Sequence, residues 1–266
     1  MPRIPLAEID ILEDGSGPPV VLVHSSVSGA RQWRKLITVL APSFHVRAPN
    51  LIGYGRTPEW AEERAQTLDD QAEIIETLAA DTTEPVNLVG HSLGGTVAMK
   101  AAQRLRGRIE KLVLLEPNPF FLLRDNGRTD AFREIMELHD IIKTYGGKDQ
   151  WTQAAACFAD YWGGTGTWAD MPSERRSVFA EALKPNFHEW GSVLGEHTEL
   201  ATIAEALPER TLVVSDPATA RPIREIVELL QGATAWQFIT IPEGGHMAPL
   251  ARPDLINPIV ERFLLD

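Results

Sequence analysis

Gly90-His91-Ser92-Leu93-Gly94 follows the apolar run Val86-Asn87-Leu88-Val89 and leads into Gly95-Thr96-Val97-Ala98-Met99-Lys100-Ala101-Ala102, which reads as a helix. A serine between a strand and a helix, with small residues on both sides, has the pattern of a nucleophile elbow. To lift its hydroxyl clear of a sheet, the serine must adopt a strained backbone. Bulky neighbours two positions before or after it would then clash, and Gly90 and Gly94 remove those side chains. The helix beginning after Ser92 also points backbone N–H groups and the positive end of its dipole at any oxyanion formed there.

Working outward, strands and helices alternate. Ile9-Asp10-Ile11-Leu12 reads as a strand, and Val20-Val21-Leu22-Val23 is a continuous apolar run of the kind buried on both faces. A helix is expected from Ala30 to Leu40, with Trp33, Leu36, Ile37 and Leu40 on one face. His45-Val46-Arg47-Ala48 is a short strand, and Leu68, Ala72, Ile75 and Leu78 repeat at helical spacing. Leu112-Val113-Leu114-Leu115 is another buried strand, stopped by Glu116-Pro117. Later come the strand Thr211-Leu212-Val213-Val214, a helix carrying Ile223, Ile226, Val227 and Leu230, a last strand from Trp236 to Ile241, and a closing helix from Leu255 to Leu264. This rhythm predicts an α/β fold with a mostly parallel sheet and helices on both faces.

The rhythm breaks between Asn118 and Leu207, where no strand is predicted. A structureless loop of that length is implausible, so the segment reads as a helical insertion. It holds twelve of the nineteen aromatic residues, among them Phe120, Phe121, Phe158, Trp162 and Trp190. Some of these serve a small helical core. Phe120, Phe121 and Trp162, together with Trp33, are the candidates for the wall of an apolar pocket above the sheet. Gly163-Gly164-Thr165-Gly166 reads as a joint or a turn.

The formal net charge of −12 argues against a nucleic-acid or anionic-membrane partner, both of which call for basic patches. Cys157 is the single cysteine, so no intramolecular disulfide is possible, and its apolar context predicts a packed thiol. The first residues lack the apolar stretch of a signal peptide, and no run approaches transmembrane length. The expectation is a cytoplasmic protein acting on a small-molecule substrate. No His/Asp/Glu cluster stands at ligand spacing, so no metal or cofactor is implied.

Four pieces stand in order and at compatible spacing: Val21-Leu22-Val23-His24, Asn50-Leu51-Ile52-Gly53-Tyr54-Gly55, the serine elbow through Gly95, and Gly244-Gly245-His246-Met247-Ala248-Pro249. On these the chain resembles the α/β-hydrolase superfamily over essentially its whole length. The resemblance implies an eight-stranded, mostly parallel sheet, a core of residues 1–117 and 208–266, and a helical cap, 118–207, inserted after the sixth strand. It makes Ser92 the nucleophile and His246 the base that a weakly acidic hydroxyl needs. The acid stands open between two positions. Glu116, directly after Leu115, is preferred. Asp216 is the alternative, in a loop where Thr219 stands at the usual place of the aspartate. The resemblance also implies an oxyanion hole from the N–H groups of Leu93 and Ser26, with Ser25 in place of the usual glycine and adding a polar contact to substrate.

A serine at the elbow excludes the alkyl-enzyme chemistry of relatives that use a carboxylate there. It points to acyl transfer on an ester or lactone. Two alternatives are carbon–carbon bond hydrolysis of the meta-cleavage product type and a non-enzymatic ligand receptor on the same fold.

Overall fold

A strand covered by helices on both faces has no polar side to present, and the apolar runs accordingly form the middle of one sheet. The computed structural model describes residues 4–61 and 63–266. Its strands are β1 Ile11–Asp14, β2 Pro19–Val23, β3 His45–Pro49, β4 Val86–His91, β5 Ile109–Leu115, β6 Thr211–Ser215 and β7 Gln237–Thr240. They pair in the order β1-β3-β2-β4-β5-β6-β7, all parallel except β1, which runs antiparallel to β3.

The sheet thus has seven strands among the described residues, not the expected eight. Before β1 the chain forms a 3-10 turn, Leu6–Glu8, entered through Pro5. Its bonds from Glu8 N–H to Pro5 O and from Ile9 N–H to Leu6 O occupy backbone groups that a further edge strand would pair, and proline has no N–H to offer a ladder. The helical segment therefore follows the fifth strand of this sheet. The first strand also starts two residues later than predicted; the Asp10 N–H donates to the Thr57 hydroxyl at 3.0 Å and not to a strand.

Three helices precede that segment: α1 Arg34–Leu40, α2 Leu68–Ala80 and α3 Leu93–Arg104. Within it lie α4 Phe121–Asp125, α5 Thr129–Gly146, α6 Trp151–Gly163, α7 Thr167–Asp170, α8 Ser173–Ala182, α9 Asn186–Leu194 and α10 Leu200–Ala206. After it come α11 Arg221–Ala233, α12 Ala248–Ala251 and α13 Pro253–Leu265. The predicted helix over Ala30 to Leu40 is split, its first four residues forming a 3-10 turn. None of these helices is long and apolar enough to cross a membrane, among the described residues.

Alternate side chains of each central strand face opposite layers. Val20, Leu22, Val113, Leu115, Leu212 and Val214 pack with Leu36 and Leu40 of α1 and Val260 and Leu264 of α13. Val21, Val23, Leu112, Leu114 and Val213 pack with α2, α3 and α11 through Ile75, Leu78, Val97, Ile223 and Ile226. Each such side chain, fully buried, stabilises the fold by about 1.5–3 kcal/mol. The start of α2 is fixed by a reciprocal cap, Thr67 accepting from the Asp70 N–H while the Asp70 carboxylate accepts from the Thr67 N–H; such a cap contributes about 1 kcal/mol. Cys157, on α6, is only half-buried, and Gly163-Gly164-Thr165-Gly166 makes the turn from α6 to α7.

Candidate active site

The strand order reverses at β2, which lies between β3 and β4. In open α/β sheets a crevice forms at the carboxyl ends of the strands at such a point. The loop after β2, the turn after β4, and the residues after β5, β6 and β7 converge there.

Ser92 caps α3 with φ +54° and ψ −119°, a left-handed conformation that L-residues adopt only under constraint. The constraint is visible at the two glycines. A Cβ on Gly90 would meet the Gly94 carbonyl oxygen at 2.3 Å, and one on Gly94 would meet the Val23 carbonyl oxygen at 2.2 Å. The Ser92 N–H donates to Leu115 O at 2.9 Å, which ties the turn to the end of β5.

The structure brings Ser92, His246 and Glu116 together. Ser92 Oγ lies 3.0 Å from His246 Nε2, and His246 Nδ1 lies 3.0 Å from Glu116 Oε2. All three are buried. A neutral imidazole with its proton on Nδ1 satisfies both contacts, donating to the carboxylate and accepting from the hydroxyl. Glu116 itself has φ +48°, and its carboxylate also accepts from the Asp216 N–H at 2.7 Å and the Thr219 hydroxyl at 2.6 Å. Asp216 does not reach the imidazole. Its carboxylate accepts from the Ala218 N–H at 2.8 Å and the Gly245 N–H at 2.7 Å, bracing the loop that carries His246. Thr219, at the position where the resemblance implies an aspartate, instead donates to the glutamate.

Ser25, Ser26 and Leu93 all line the cavity above Ser92. No hydrogen bond within the described protein occupies the N–H of Ser26 or Leu93. His24 shapes the loop: its Nε2 accepts from the Leu51 N–H at 2.9 Å and its Nδ1 faces Ser25 O at 2.8 Å. Burial pushes His24 down to about 4, so the ring stays neutral. His91 is likewise held well below its ordinary value, first by burial and then by the neighbouring His246. Its Nε2 donates to the His246 carbonyl oxygen at 2.8 Å, and its Nδ1 accepts from Gln32 at 3.1 Å. Gln32 in turn accepts from the Ser25 N–H and hydroxyl, at 3.1 and 2.9 Å. One chain of bonds thereby connects the loop after β2 to the loop of His246.

Sequence reasoning missed several residues here. Asn118 points its Nδ2 at Ser92 Oγ, 3.4 Å away, an orientation set by Thr96, whose hydroxyl donates to Asn118 Oδ1 at 2.9 Å. Glu189 of α9, only 2% exposed, accepts from the Ser26 hydroxyl at 2.6 Å, the Tyr54 hydroxyl at 2.7 Å and Asn186 at 2.9 Å. Burial raises its pKa, against the three donors that lower it. The signal for Glu189 was its spacing: it shares a helix face with Asn186 and Val193, an acid on a buried stripe.

The cavity has a volume of about 680 Å³ and a mostly apolar wall. Phe120 lines it, stacked on Trp190 at 5.8 Å between ring centroids. Trp162 lines it too, stacked on the His246 imidazole at 4.2 Å. The other two aromatic candidates do not. Trp33 is buried among Leu36, Leu40 and α13 on the opposite face of the sheet, because its helix covers that face. Phe121, one residue past Phe120, lies instead beside Leu68 of α2, Met99 of α3 and Ile203 of α10. Among the described residues no group of three or more His, Cys, Asp or Glu side chains is gathered for a metal ion.

A sequence model described as the alpha/beta hydrolase family matches residues 20–259. The chain is 38% identical over 104 residues to the lipase LipV of Mycobacterium tuberculosis, covering 38% of either chain. It is 33% identical over 113 residues to a pimeloyl-acyl-carrier-protein methyl ester esterase of Pectobacterium carotovorum, covering 42% of either chain. These matches span about two-fifths of the curated relatives' length. In fold, the structure is similar to a meta-cleavage product hydrolase from Pseudomonas fluorescens, with a TM-score of 0.70 at 18% identity over 97% of this chain and 94% of that one.

Proposed function

The chain belongs to the alpha/beta hydrolase family, and from that premise we propose that it is a serine hydrolase acting by acyl transfer on a carboxylic ester or lactone of a small, largely apolar substrate. The observation that carries this reading is the buried relay Ser92–His246–Glu116, with both contacts at 3.0 Å, opening into an apolar cavity. Two curated relatives bear the names of a lipase and a methyl ester esterase, which supports carbonyl chemistry at such a site.

In this reading Ser92 Oγ attacks the carbonyl carbon as His246 Nε2 takes its proton. The imidazolium so formed is stabilised by Glu116 through Nδ1–H, and the Trp162 ring stacked on it adds a cation–π contribution. The tetrahedral oxyanion is received by the N–H groups of Leu93 and Ser26; donors of this kind contribute roughly 10²–10³ each to rate. Nε2 then gives its proton to the departing alkoxide. Water, deprotonated by the same nitrogen, attacks the acyl-enzyme, and the Ser92 hydroxyl is restored as the acid leaves. Asn118 orients the serine hydroxyl, and residues 118–207 act as the cap that closes the cavity and selects the substrate.

The test is a panel of p-nitrophenyl esters of graded chain length, with lactones and a dienone alongside, run on the wild type and on Ser92→Ala. Turnover of short esters, lost in Ser92→Ala, is expected. Turnover of the dienone alone would move the reading to carbon–carbon bond hydrolysis, and saturable binding without turnover would move it to a receptor.

A further inference from the structure

Three large hydrophobic side chains are exposed on the described protein, and two of them stand in the wall of one cavity: Val178, 69% exposed, and Leu250, 37% exposed. Apolar side chains in a cavity wall are available to the apolar part of a ligand. One turn before Val178 on α8, and so on the same face of that helix, stands Arg175. It is exposed, and among the described residues it is the only arginine or lysine in the cavity wall.

Among the described residues, Arg175 makes no ion pair or hydrogen bond. Its neighbour Arg176 differs, donating to the carbonyl oxygens of Met171 and Ala169 at 2.8 and 2.6 Å and lying over the Trp168 ring. Acidic residues outnumber Lys and Arg by 37 to 25, and some exposed arginines find them: Arg133 pairs with Asp130 and Arg210 with Glu110. Arg31, Arg34, Arg224 and Arg262 are exposed as well and do not line the cavity, so what sets Arg175 apart is its place in the cavity wall. The one carboxylate in the cavity wall, Glu189, is occupied by Ser26, Tyr54 and Asn186. The cavity therefore offers an apolar wall, a serine at its floor and one uncompensated guanidinium at its mouth.

Resting on the serine-hydrolase reading above, we propose that the substrate is an ester or lactone whose apolar chain runs along Val178 and Leu250 and ends in a carboxylate that pairs with Arg175. The planar guanidinium fork matches a carboxylate with two parallel hydrogen bonds. The pairing fixes the substrate end to end, carboxylate at the mouth and carbonyl at Ser92. It also offsets locally the repulsion that a −12 protein exerts on an anion.

The test measures kcat/KM for methyl hemiesters of dicarboxylic acids of increasing length, each against the methyl ester of the monocarboxylic acid of the same length. At low ionic strength the wild type is expected to prefer the hemiester by about tenfold at the best length, and to lose that preference in high salt. Arg175→Gln should lower the ratio by about five- to tenfold, chiefly through KM of the anionic substrate, and Arg175→Glu should invert it. Arg224→Gln, an exposed arginine on α11 away from the cavity, is the control and should leave the ratio unchanged. A ratio indifferent to Arg175→Gln, or moved equally by Arg224→Gln, overturns the proposal. If neither ester series is turned over, the serine-hydrolase reading fails. Anion recognition is then judged by quenching of the Trp162 and Trp190 fluorescence. Tighter binding of the hemiester that Arg175→Gln abolishes sustains it, and equal binding of the two esters overturns it.

Discussion

Ser92 and Glu116 sit at the carboxyl ends of β4 and β5 with φ of +54° and +48°, whereas α8, across the cavity, buries only Ala180 of its ten residues. A left-handed non-glycine residue costs on the order of 1–3 kcal/mol and persists only where its surroundings over-determine it. Here the surroundings are β4, buried along its whole length, and β5, buried at every residue but Glu110, the close approach of Gly90 and Gly94, and the Leu115 and Val214 carbonyls that accept from Ser92 and Glu116. The cavity wall on α8 has no such support; Arg175 and Val178 project from a helix held by few buried contacts. In the proposed mechanism the reacting groups are thus placed by backbone geometry, and the proposed selecting groups by side chains that can be exchanged without disturbing it.

The sharpest way to break that division is at Ser92. Ser92→Ala should lower kcat by roughly 10⁵–10⁶ while leaving the unfolding midpoint in urea near wild type. Retention of more than about a tenth of the activity would remove the serine from the mechanism. Glu116→Gln comes next, with an expected loss of roughly 10³–10⁴ in kcat, the scale of a triad carboxylate. Asp216→Asn, which touches only the brace on Gly245, should cost less than about tenfold. The reverse ranking would place the working acid on the loop after β6.

The unequal legibility of the two regions has the same physical origin. The elbow could be read because its glycines answer a local steric demand, and Glu116 because it ends a strand whose apolar run is unmistakable. Asp216 stayed a rival because sequence cannot tell a carboxylate facing an imidazole from one facing a backbone N–H. Gln32, Asn118 and Glu189 are single polar residues whose partners lie 59, 26 and 163 positions away; helical spacing sets Glu189 on a face with Val193, but no local pattern names the partner of any of the three. Trp33 was misplaced for a related reason: helical spacing shows that a face is buried, not which side of the sheet it covers. The expectation of an eighth strand came from the resemblance alone; the apolar runs number seven, and each of the seven meets a strand of the sheet.

A smaller effect tests how firmly the loop after β2 is held. Burial lowers His24 to about 4 in the folded protein, while an unfolded chain titrates near the ordinary value of about 6.5. Between those values the unfolded chain binds a proton that the folded one refuses, so stability falls as pH drops from about 6.5 toward 4. The full contribution is up to about 3 kcal/mol, and His91, depressed chiefly by burial, acts in the same direction. Urea midpoints measured across this range should fall less steeply in His24→Gln, whose amide oxygen can still accept from Leu51. An identical slope in variant and wild type would show that His24 is not excluded from protonation.

The smallest expected effect lies at the cavity mouth and bears most directly on the contrast between the regions. Val178 is 69% exposed, so Val178→Ser removes little buried area, and its cost in stability should stay within about 0.5 kcal/mol, as for surface substitutions generally. If the side chain is nonetheless a wall for the substrate chain, replacing its methyls with a hydroxyl withdraws roughly 1 kcal/mol of apolar contact, about a fivefold rise in KM for long-chain esters. Short esters, which do not reach the mouth, should keep their KM, and kcat should hold for both because Ser92 and His246 are untouched. The informative quantity is the ratio of KM values for long and short esters, plotted against chain length. A uniform change at all lengths would mean that Val178 acts through the packing of α8, and the helical segment would then be part of the catalytic scaffold and not an exchangeable wall.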